Sequence, residues 1–332
     1  MGLRFSVGIG LTNECNLRCA HCYRPDRVID RLTVGDVERA CGSLPVRSVN
    51  LGVGENGLHP EYRAILASLW ERGLPVSITS NGLSVQSLPD EIVKRFHSVE
   101  CSLDFPTERE HDSFRGRGNW RLVMETLERT SGLGVPATVT AVMMRENRLR
   151  LVELARLAAA VGANLRVNVY QPSKSDHFSV SYEEFWDALR HLAGATRLVA
   201  TTEPVLAGVL GLEGFAGPGC GRTTVRVAPD GRILPCTYWP DSRLRLADLE
   251  ALGESITETA EFTAARQVPP VCVGCRCGGG CAGRRALLGD LAAADPFCPF
   301  ARGDRLALRW ERAGPEDLPK VGSACTTVVS AR

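Results

Sequence analysis

Lysine is almost missing from this sequence: Lys94, Lys174 and Lys320 stand alone, and arginine carries nearly all the positive charge. Basic blocks are lacking as well, and the formal net charge is only +1. That argues against a nucleic-acid footprint, which needs clustered basic residues. No apolar run approaches the roughly 20 residues that span a bilayer, so no transmembrane helix is expected. The opening residues show no charged head or small-residue cleavage site; a strand begins almost at Met1. These absences predict a cytoplasmic protein with neither a nucleic-acid nor a membrane partner.

What the chain does have is thirteen cysteines, unevenly placed. In a secreted chain they would suggest disulfides, whereas a reducing cytosol points to metal ligation. One group is Cys15-Asn-Leu-Arg-Cys19-Ala-His-Cys22-Tyr23, directly behind the apolar, strand-like run Phe5 to Leu11. Three thiolates make an odd set. A structural zinc takes four ligands, and an ordinary ferredoxin cluster also takes four cysteines. Three on one loop suggest a 4Fe–4S cluster with one iron open to an exchangeable ligand. A zinc knuckle and scattered core thiols are the alternatives.

At 332 residues the chain is long enough for two domains. Helical patterns at Thr33–Leu44, Glu61–Gly73, Leu88–His97, Trp120–Gly132, Leu149–Val161 and Tyr182–Ala193 alternate with short β-rich runs. Those runs are Ser48–Gly52, Val76–Thr79, Ser98–Leu103, Ala137–Met144 and Leu165–Tyr170. Repeated strand–helix units predict a parallel sheet, either an open doubly wound one or a partial barrel. Asn13 to Tyr23, Gly52 to Asn56, Ser80-Asn81-Gly82 and Asp104 each follow a strand. In a parallel sheet such ends share one edge, where α/β proteins bind ligands. Four segments are thus expected to converge on one site.

The C-x3-C-x2-C loop resembles the signature of the radical S-adenosylmethionine (SAM) superfamily. The resemblance implies an α/β fold with a partial (β/α)6 TIM-like barrel. It also implies a 4Fe–4S cluster on Cys15, Cys19 and Cys22, whose open iron takes the amino and carboxylate groups of SAM. Gly52-Val53-Gly54-Glu55-Asn56 is similar to the family's Gly-Gly-Glu-Pro turn, with Val53 for the first glycine and Asn56 for the proline. By that likeness Gly54 and Glu55 face the SAM amino group. Ser80 and Asn81 match the third-strand motif lining the SAM pocket, and Ser102 and Asp104 the fourth-strand positions facing the ribose. Arg115 is a candidate for the carboxylate, and His21 holds the position that touches the adenine. His59, His97, His111, His177 and His191 are expected to be surface or capping residues.

The second cysteine field surrounds a predicted hairpin, Thr223–Val227 and Arg232–Pro235 around Pro229-Asp230-Gly231. Its pattern is Cys220-x10-Gly231-x4-Cys236, then Cys272-x2-Cys275-x-Cys277-x3-Cys281, and finally Cys298. This resembles the SPASM extension of radical SAM enzymes, a small cysteine-rich domain with a β-hairpin. By that resemblance Cys220, Cys236 and Cys281 hold one auxiliary 4Fe–4S cluster, and Cys272, Cys275, Cys277 and Cys298 a second. A zinc ribbon over Cys272 to Cys298 is the alternative. Cys41, Cys101 and Cys325 are left over and are expected to be buried small apolar residues. The division expected is a barrel over 1–200, a linker over 201–219, the cysteine-rich domain over 220–300, and a tail over 301–332. Glycines from Gly208 to Gly221 suggest the linker. The tail is expected to hold a closing helix over Asp304–Arg312 and to be loosely held from Gly314 onward.

The resemblance implies reductive cleavage of SAM to a 5′-deoxyadenosyl radical that abstracts hydrogen from a substrate C–H. The protein would supply binding, orientation and a closed cavity. No nucleophile–base pair is called for, and no catalytic side chain is assigned. The leading expectation is oxidative modification of a ribosomally synthesised peptide by crosslinking, thioether formation or epimerisation. The alternatives are oxidation or decarboxylation of a small molecule (an amino-cyclitol alcohol, a tetrapyrrole side chain) or of a protein side chain. A non-catalytic iron–sulfur electron carrier is a third. A flavodoxin or ferredoxin is the expected electron donor. Cys15 lies so near the first residue that a peptide substrate would need a separate recognition protein or direct docking.

Overall fold

The computed structural model describes residues 4–24, 28–212, 219–314 and 325–332. Six parallel strands are laid down in chain order: β1 (Phe5–Gly10), β2 (Val46–Gly52), β3 (Val76–Ser80), β4 (Ser98–Ser102), β5 (Ala137–Met143) and β6 (Asn164–Val169). The crossovers carry α1 (Val34–Gly42), α2 (Tyr62–Glu71), α3 (Leu83–Gln86), α4 (Asp90–Val93), α5 (Glu108–Arg115), α6 (Asn119–Gly132) and α7 (Leu151–Ala160). After α8 (Tyr182–Ala195) come β7 (Thr196–Thr201) and α9 (Pro204–Leu210). The remainder is β8 (Thr224–Val227), β9 (Ile233–Leu234), α10 (Leu246–Leu252), α11 (Ala260–Arg266), α12 (Ala282–Leu287), α13 (Pro299–Arg302) and β10 (Thr326–Ala331). All strands join one sheet in the order β7-β10-β6-β5-β4-β3-β2-β1-β8-β9.

Alternation along the strands decides which side is dry. In β2, Val46, Val49 and Leu51 are buried, and in β3, Val76 and Ile78. These face the helices, where Ile65, Leu66 and Leu69 of α2 and Leu154 of α7 meet them in one core. The opposite faces present Ser48 and Asn50, Ser77 and Thr79, Ser98 and Glu100, Thr138 and Thr140, and Arg166 and Asn168 to an interior cavity. A closed TIM barrel fills its centre with branched apolar residues. This partial barrel keeps a polar lumen instead.

The expected α/β partial barrel is present, with each of the six expected strands in place. The hairpin is there too, β8 against β9. It is also continuous with the barrel sheet, because β8 lies parallel to β1 with Val7 opposite Val225 and Ile9 opposite Val227. The cysteine-rich segment packs on the barrel as well: Phe297 stacks on Phe185 of α8 at 4.3 Å, and Trp186 Nε1 donates to the Phe297 carbonyl at 3.0 Å.

Three expectations fail. Part of the stretch expected as a linker is the helix α9, and Gly208 lies inside it because a larger residue would collide with Cys277; residues 213–218 lie outside the described ones. No helix covers Asp304–Arg312, which runs irregularly past β7, with Leu198 N–H donating to the Glu311 carbonyl at 2.8 Å. In the tail, expected to be loose from Gly314, Thr326–Ala331 is a strand inserted antiparallel between β6 and β7. Its Thr-Thr-Val-Val run is β-prone, but both partners are supplied by distant chain. Residues 315–324 lie outside the described ones. No helix among the described residues is long and apolar enough to cross a membrane.

Candidate functional site

The loop after β1 is shaped by side chains that bond to its backbone. Arg24 donates to the carbonyls of Asn13 and Leu17 at 3.0 and 2.8 Å. Asn13 clamps the returning chain, donating to the Val28 carbonyl at 2.6 Å and accepting from Asp30 N–H at 2.9 Å. Cys15, Cys19 and Cys22 are thereby turned onto the cavity. Cys15 Sγ accepts from Leu17 N–H at 3.4 Å and faces Asn81 Nδ2 at 3.7 Å. Burial pushes the Cys19 thiol up to about 11, with the Arg115 guanidinium opposing. A thiol raised in this way by burial ionises on binding a cationic metal.

The turn after β2 carries Val53 at φ +66° and Gly54 at φ +61°. A Cβ on Gly54 would lie 2.4 Å from the carbonyl oxygens of both Thr12 and Glu14, so only glycine fits against the cysteine loop. Val53 takes the left-handed conformation despite its branched side chain, which is strained. Glu55 is 1 % exposed and bonded throughout. Its Oε1 accepts from Ser80 Oγ at 2.5 Å and from Ser84 N–H at 2.8 Å, and its Oε2 from Asn81 N–H at 2.9 Å. The carboxylate therefore holds the β3 turn against the β2 turn.

Asp104, after β4, is fully buried. Its Oδ2 accepts from Arg115 Nε at 2.6 Å, and its Oδ1 from Val142 N–H at 2.9 Å. Burial alone would raise this carboxyl, but Arg115, then His21, outweigh it and hold it down to about 2. His21 stacks on Phe114 at 4.9 Å. Its burial brings it down to about 4 despite Asp104 nearby, so it is neutral at pH 7 and their 3.6 Å approach is no ion pair. The expectation of a surface or capping role fails for His111, which is fully buried. His59, though only 4 % exposed, caps the turn before α2, its Nδ1 accepting from Glu61 N–H at 3.0 Å. His111 Nδ1 accepts from Asp104 N–H at 3.2 Å and Nε2 donates to Asn119 Oδ1 at 3.0 Å, while Asn119 Nδ2 donates to the Asn81 carbonyl at 2.9 Å. This chain of bonds joins the fourth-strand and third-strand motifs.

One cavity of about 930 Å3 is lined by Cys15, Cys19, Cys22, His21, Gly54, Glu55, Ser80, Asn81, Ser102 and Arg115 together. Asp104 stands just behind it. Convergence of the strand ends is thus a fact of the fold. Sequence reasoning missed the deeper half of the cavity. Glu100 pairs with Arg166 at 2.7 Å and accepts from Thr79 Oγ1 at 3.0 Å. Arg226 of β8 and Tyr238 also line it, and Tyr23 meets Tyr238 edge-on at 5.5 Å. Polar residues at every second strand position were the available signal.

The C-terminal cysteines fall into two groups. Cys275, Cys277 and Cys298 bring their sulfurs within 4.8 Å of one another, and Cys272 is an electrostatic neighbour of Cys275 and Cys298. The C-x-C pair thus falls in one group of sulfurs. Elsewhere Cys220 and Cys236 share a hydrogen-bonding contact, and so do Cys281 and Cys325. Cys41 and Cys101 lie in the apolar core as expected, but Cys325 does not. It is half-buried beside another thiol. All thirteen are free thiols. Four sulfurs per group suit iron–sulfur or zinc ligation.

Residues 9–158 match the model of the Radical SAM superfamily. Over 92 % of this chain and 85 % of the relative, the sequence is 27 % identical to mycofactocin maturase MftC from Mycolicibacterium smegmatis. Over 87 % and 85 % it is 26 % identical to the PqqA peptide cyclase of Ruegeria pomeroyi. Among solved structures, Streptococcus suis SuiB bound to S-adenosylmethionine superposes with a TM-score of 0.66 at 15 % identity, covering 89 % of this chain and 77 % of that one. Native anSMEcpe with bound AdoMet gives 0.67 at 16 % identity, covering 90 % and 94 %.

Proposed function

We propose that this chain, a member of the radical SAM superfamily, modifies a ribosomally synthesised peptide by removing hydrogen from one of its C–H bonds. The observation that carries the reading is the set of three free thiols on the loop after β1, turned onto the same cavity as the Glu55 turn and the Asn81 turn. Cys15, Cys19 and Cys22 would hold a 4Fe–4S cluster, leaving one iron for SAM. Together, when bound, that pair supplies a carbon-centred radical able to break an unactivated C–H bond.

The chain's own residues do the rest. Gly54 lets the β2 turn approach the cysteine loop, and Glu55 fixes Ser80 and Asn81 so that their polar groups line the pocket beside Cys15. Asp104 and Arg115 neutralise each other under the opposite wall, while neutral His21 offers a flat face backed by Phe114. Ser102 borders the same space. Below them the polar lumen offers Glu100, Arg166, Asn168 and Arg226 to a substrate with hydrogen-bonding groups, such as a peptide segment. Relatives named as a maturase and a peptide cyclase support a peptide over a small molecule. Two further clusters on the C-terminal cysteines would carry electrons, with a flavodoxin or ferredoxin as external donor and a separate protein presenting the peptide. Thirteen free thiols support a reducing compartment, the cytoplasm.

A zinc ion is a second reading for Cys272, Cys275, Cys277 and Cys298. The close spacing of three of their sulfurs favours it, since tetrahedral zinc holds its thiolates about 2.3 Å from the metal. Metal analysis after anaerobic purification separates the readings. About twelve irons per chain are expected for three clusters of four; about eight irons with one zinc would favour the second. For the main proposal, reduced, reconstituted protein should convert SAM to 5′-deoxyadenosine, and Cys19→Ala should not. Wild-type turnover by that variant would end the radical reading.

A further inference from the structure

We propose that Cys325, at the start of the C-terminal strand, completes a four-thiolate metal site with Cys220, Cys236 and Cys281. The inference deepens the reading above and rests on its auxiliary cluster, but needs neither SAM cleavage nor a peptide. The four residues come from distant parts of the chain: the approach to β8, the end of the hairpin, the residue before α12, and the residue before β10. Their thiols form two contacting pairs, Cys220 with Cys236 and Cys281 with Cys325. The pairs face each other, since Cys281 is an electrostatic neighbour of Cys236 and Cys325 of Cys220.

The space between them is kept clear. A Cβ on Gly283 would come within 2.8 Å of Cys236 Sγ and 3.9 Å of Cys281 Sγ, so any other residue would intrude among the sulfurs. Both members of the second pair are fixed by their surroundings. Cys281 N–H donates to Asp295 Oδ2 at 2.7 Å, and Arg284, buried between Asp295 and Glu203, pairs with them at 3.2 and 2.8 Å. Cys325 is fixed through Thr326. The Thr326 N–H donates to Thr202 Oγ1 at 3.2 Å, its carbonyl accepts from Thr202 N–H at 2.8 Å, and its Oγ1 donates to the Val167 carbonyl at 3.1 Å. A cysteine that merely filled space would have no reason to sit at a strand end against Cys281 and within electrostatic reach of Cys220.

The consequence concerns the kind of work this centre does. A cluster on three protein thiolates leaves one iron to bind substrate, whereas four close every corner. With Cys325 in place each thiol gives up its proton as it binds, and the centre is left to pass electrons. Metal loading also ties β10, and with it the sheet between β6 and β7, to the cysteine-rich segment.

The test uses a parent lacking the N-terminal ligands, Cys15→Ala/Cys19→Ala/Cys22→Ala, so its outcome is independent of SAM chemistry. The anaerobically reconstituted parent should hold about eight irons and resist ferricyanide. Adding Cys325→Ala should make one cluster lose about one iron under ferricyanide, with a 3Fe–4S signal in its electron paramagnetic resonance spectrum. Cys325→Ser should largely retain the iron with an altered spectrum. Identical iron content, spectrum and ferricyanide response in parent and Cys325→Ala would overturn the proposal. So would an unchanged iron content on adding Cys220→Ala together with Cys236→Ala, which would mean that no cluster is there. A readout on the unmutated chain covers failure to fold: alkylation followed by mass spectrometry before and after iron chelation. Cys325 should become reactive together with Cys220, Cys236 and Cys281 while Cys101 stays protected. Protection of Cys325 equal to that of Cys101, or a Cys281–Cys325 disulfide in loaded protein, counts against it.

Discussion

Glu55 Oε1 accepts a 2.5 Å hydrogen bond from Ser80 Oγ, tying the turn after β2 to the turn after β3. Two backbone N–H groups, of Asn81 and Ser84, and the Ser84 hydroxyl complete the carboxylate's set. The acid thus acts chiefly by placing its neighbours. Glu55→Gln keeps the shape but turns an amide NH2 toward one of those donors. An unsatisfied buried donor costs about 1–3 kcal/mol, so urea unfolding should show a loss of that size. SAM binding by calorimetry should weaken about tenfold for each 1.4 kcal/mol of disorder passed to the pocket. Unchanged values in both would show that the turn holds itself.

Val53 holds φ +66°, a conformation that disfavours L-residues by roughly 1–2 kcal/mol. Glycine there relieves the strain but gives back part of it through a freer unfolded chain. Val53→Gly should therefore raise stability by about 0.5–1 kcal/mol. A lower midpoint in chemical denaturation would mean that the valine side chain contributes more than its backbone loses.

Asp104 and Arg115 form a buried pair, and removing one partner strands the other. Asp104→Asn should destabilise the protein by about 3–5 kcal/mol. The pH dependence has a definite sign. The carboxyl's folded value of about 2 lies below its ordinary value of 3.8. Its contribution is therefore complete above about pH 4 and lost as pH falls through about 2. The stability gap between wild type and Asp104→Asn should narrow over that window and stay constant above it.

Gly208 and Gly194 make a matched test of close approach. A Cβ on Gly208 would stand 2.7 Å from Cys277 Sγ and 2.9 Å from Cys277 N, and backbone cannot yield cheaply. One on Gly194, in α8, meets nothing within 4 Å. Gly208→Ala should cost about 1–3 kcal/mol and lower metal content at the Cys277 site. Gly194→Ala should gain up to about 1 kcal/mol with metal unaffected. Equal behaviour of the two variants would mean that α9 is not pressed onto Cys277.

The sequence alone determined the parallel sheet, the hairpin and the edge on which the strand-end motifs gather. Each of these is written locally, in apolar periodicity, turn residues such as Pro229-Asp230-Gly231, and motifs that follow a strand. It also located the two cysteine fields, because ligand spacing within one loop is a property of that loop. Tertiary structure alone decided the partners of groups that meet across distant segments. His111 behaves as a buried link because Asp104 and Asn119 close on it, and its helix, α5, carries no such mark. The lumen is polar because alternate strand positions turn inward together, which no single strand reveals. Cys325 stands against Cys281 and near Cys220 only because β10 threads back between β6 and β7. A strand's pairing partner is fixed by which hydrogen-bonding edges remain open when the rest of the sheet has formed, and that information lies outside the strand itself.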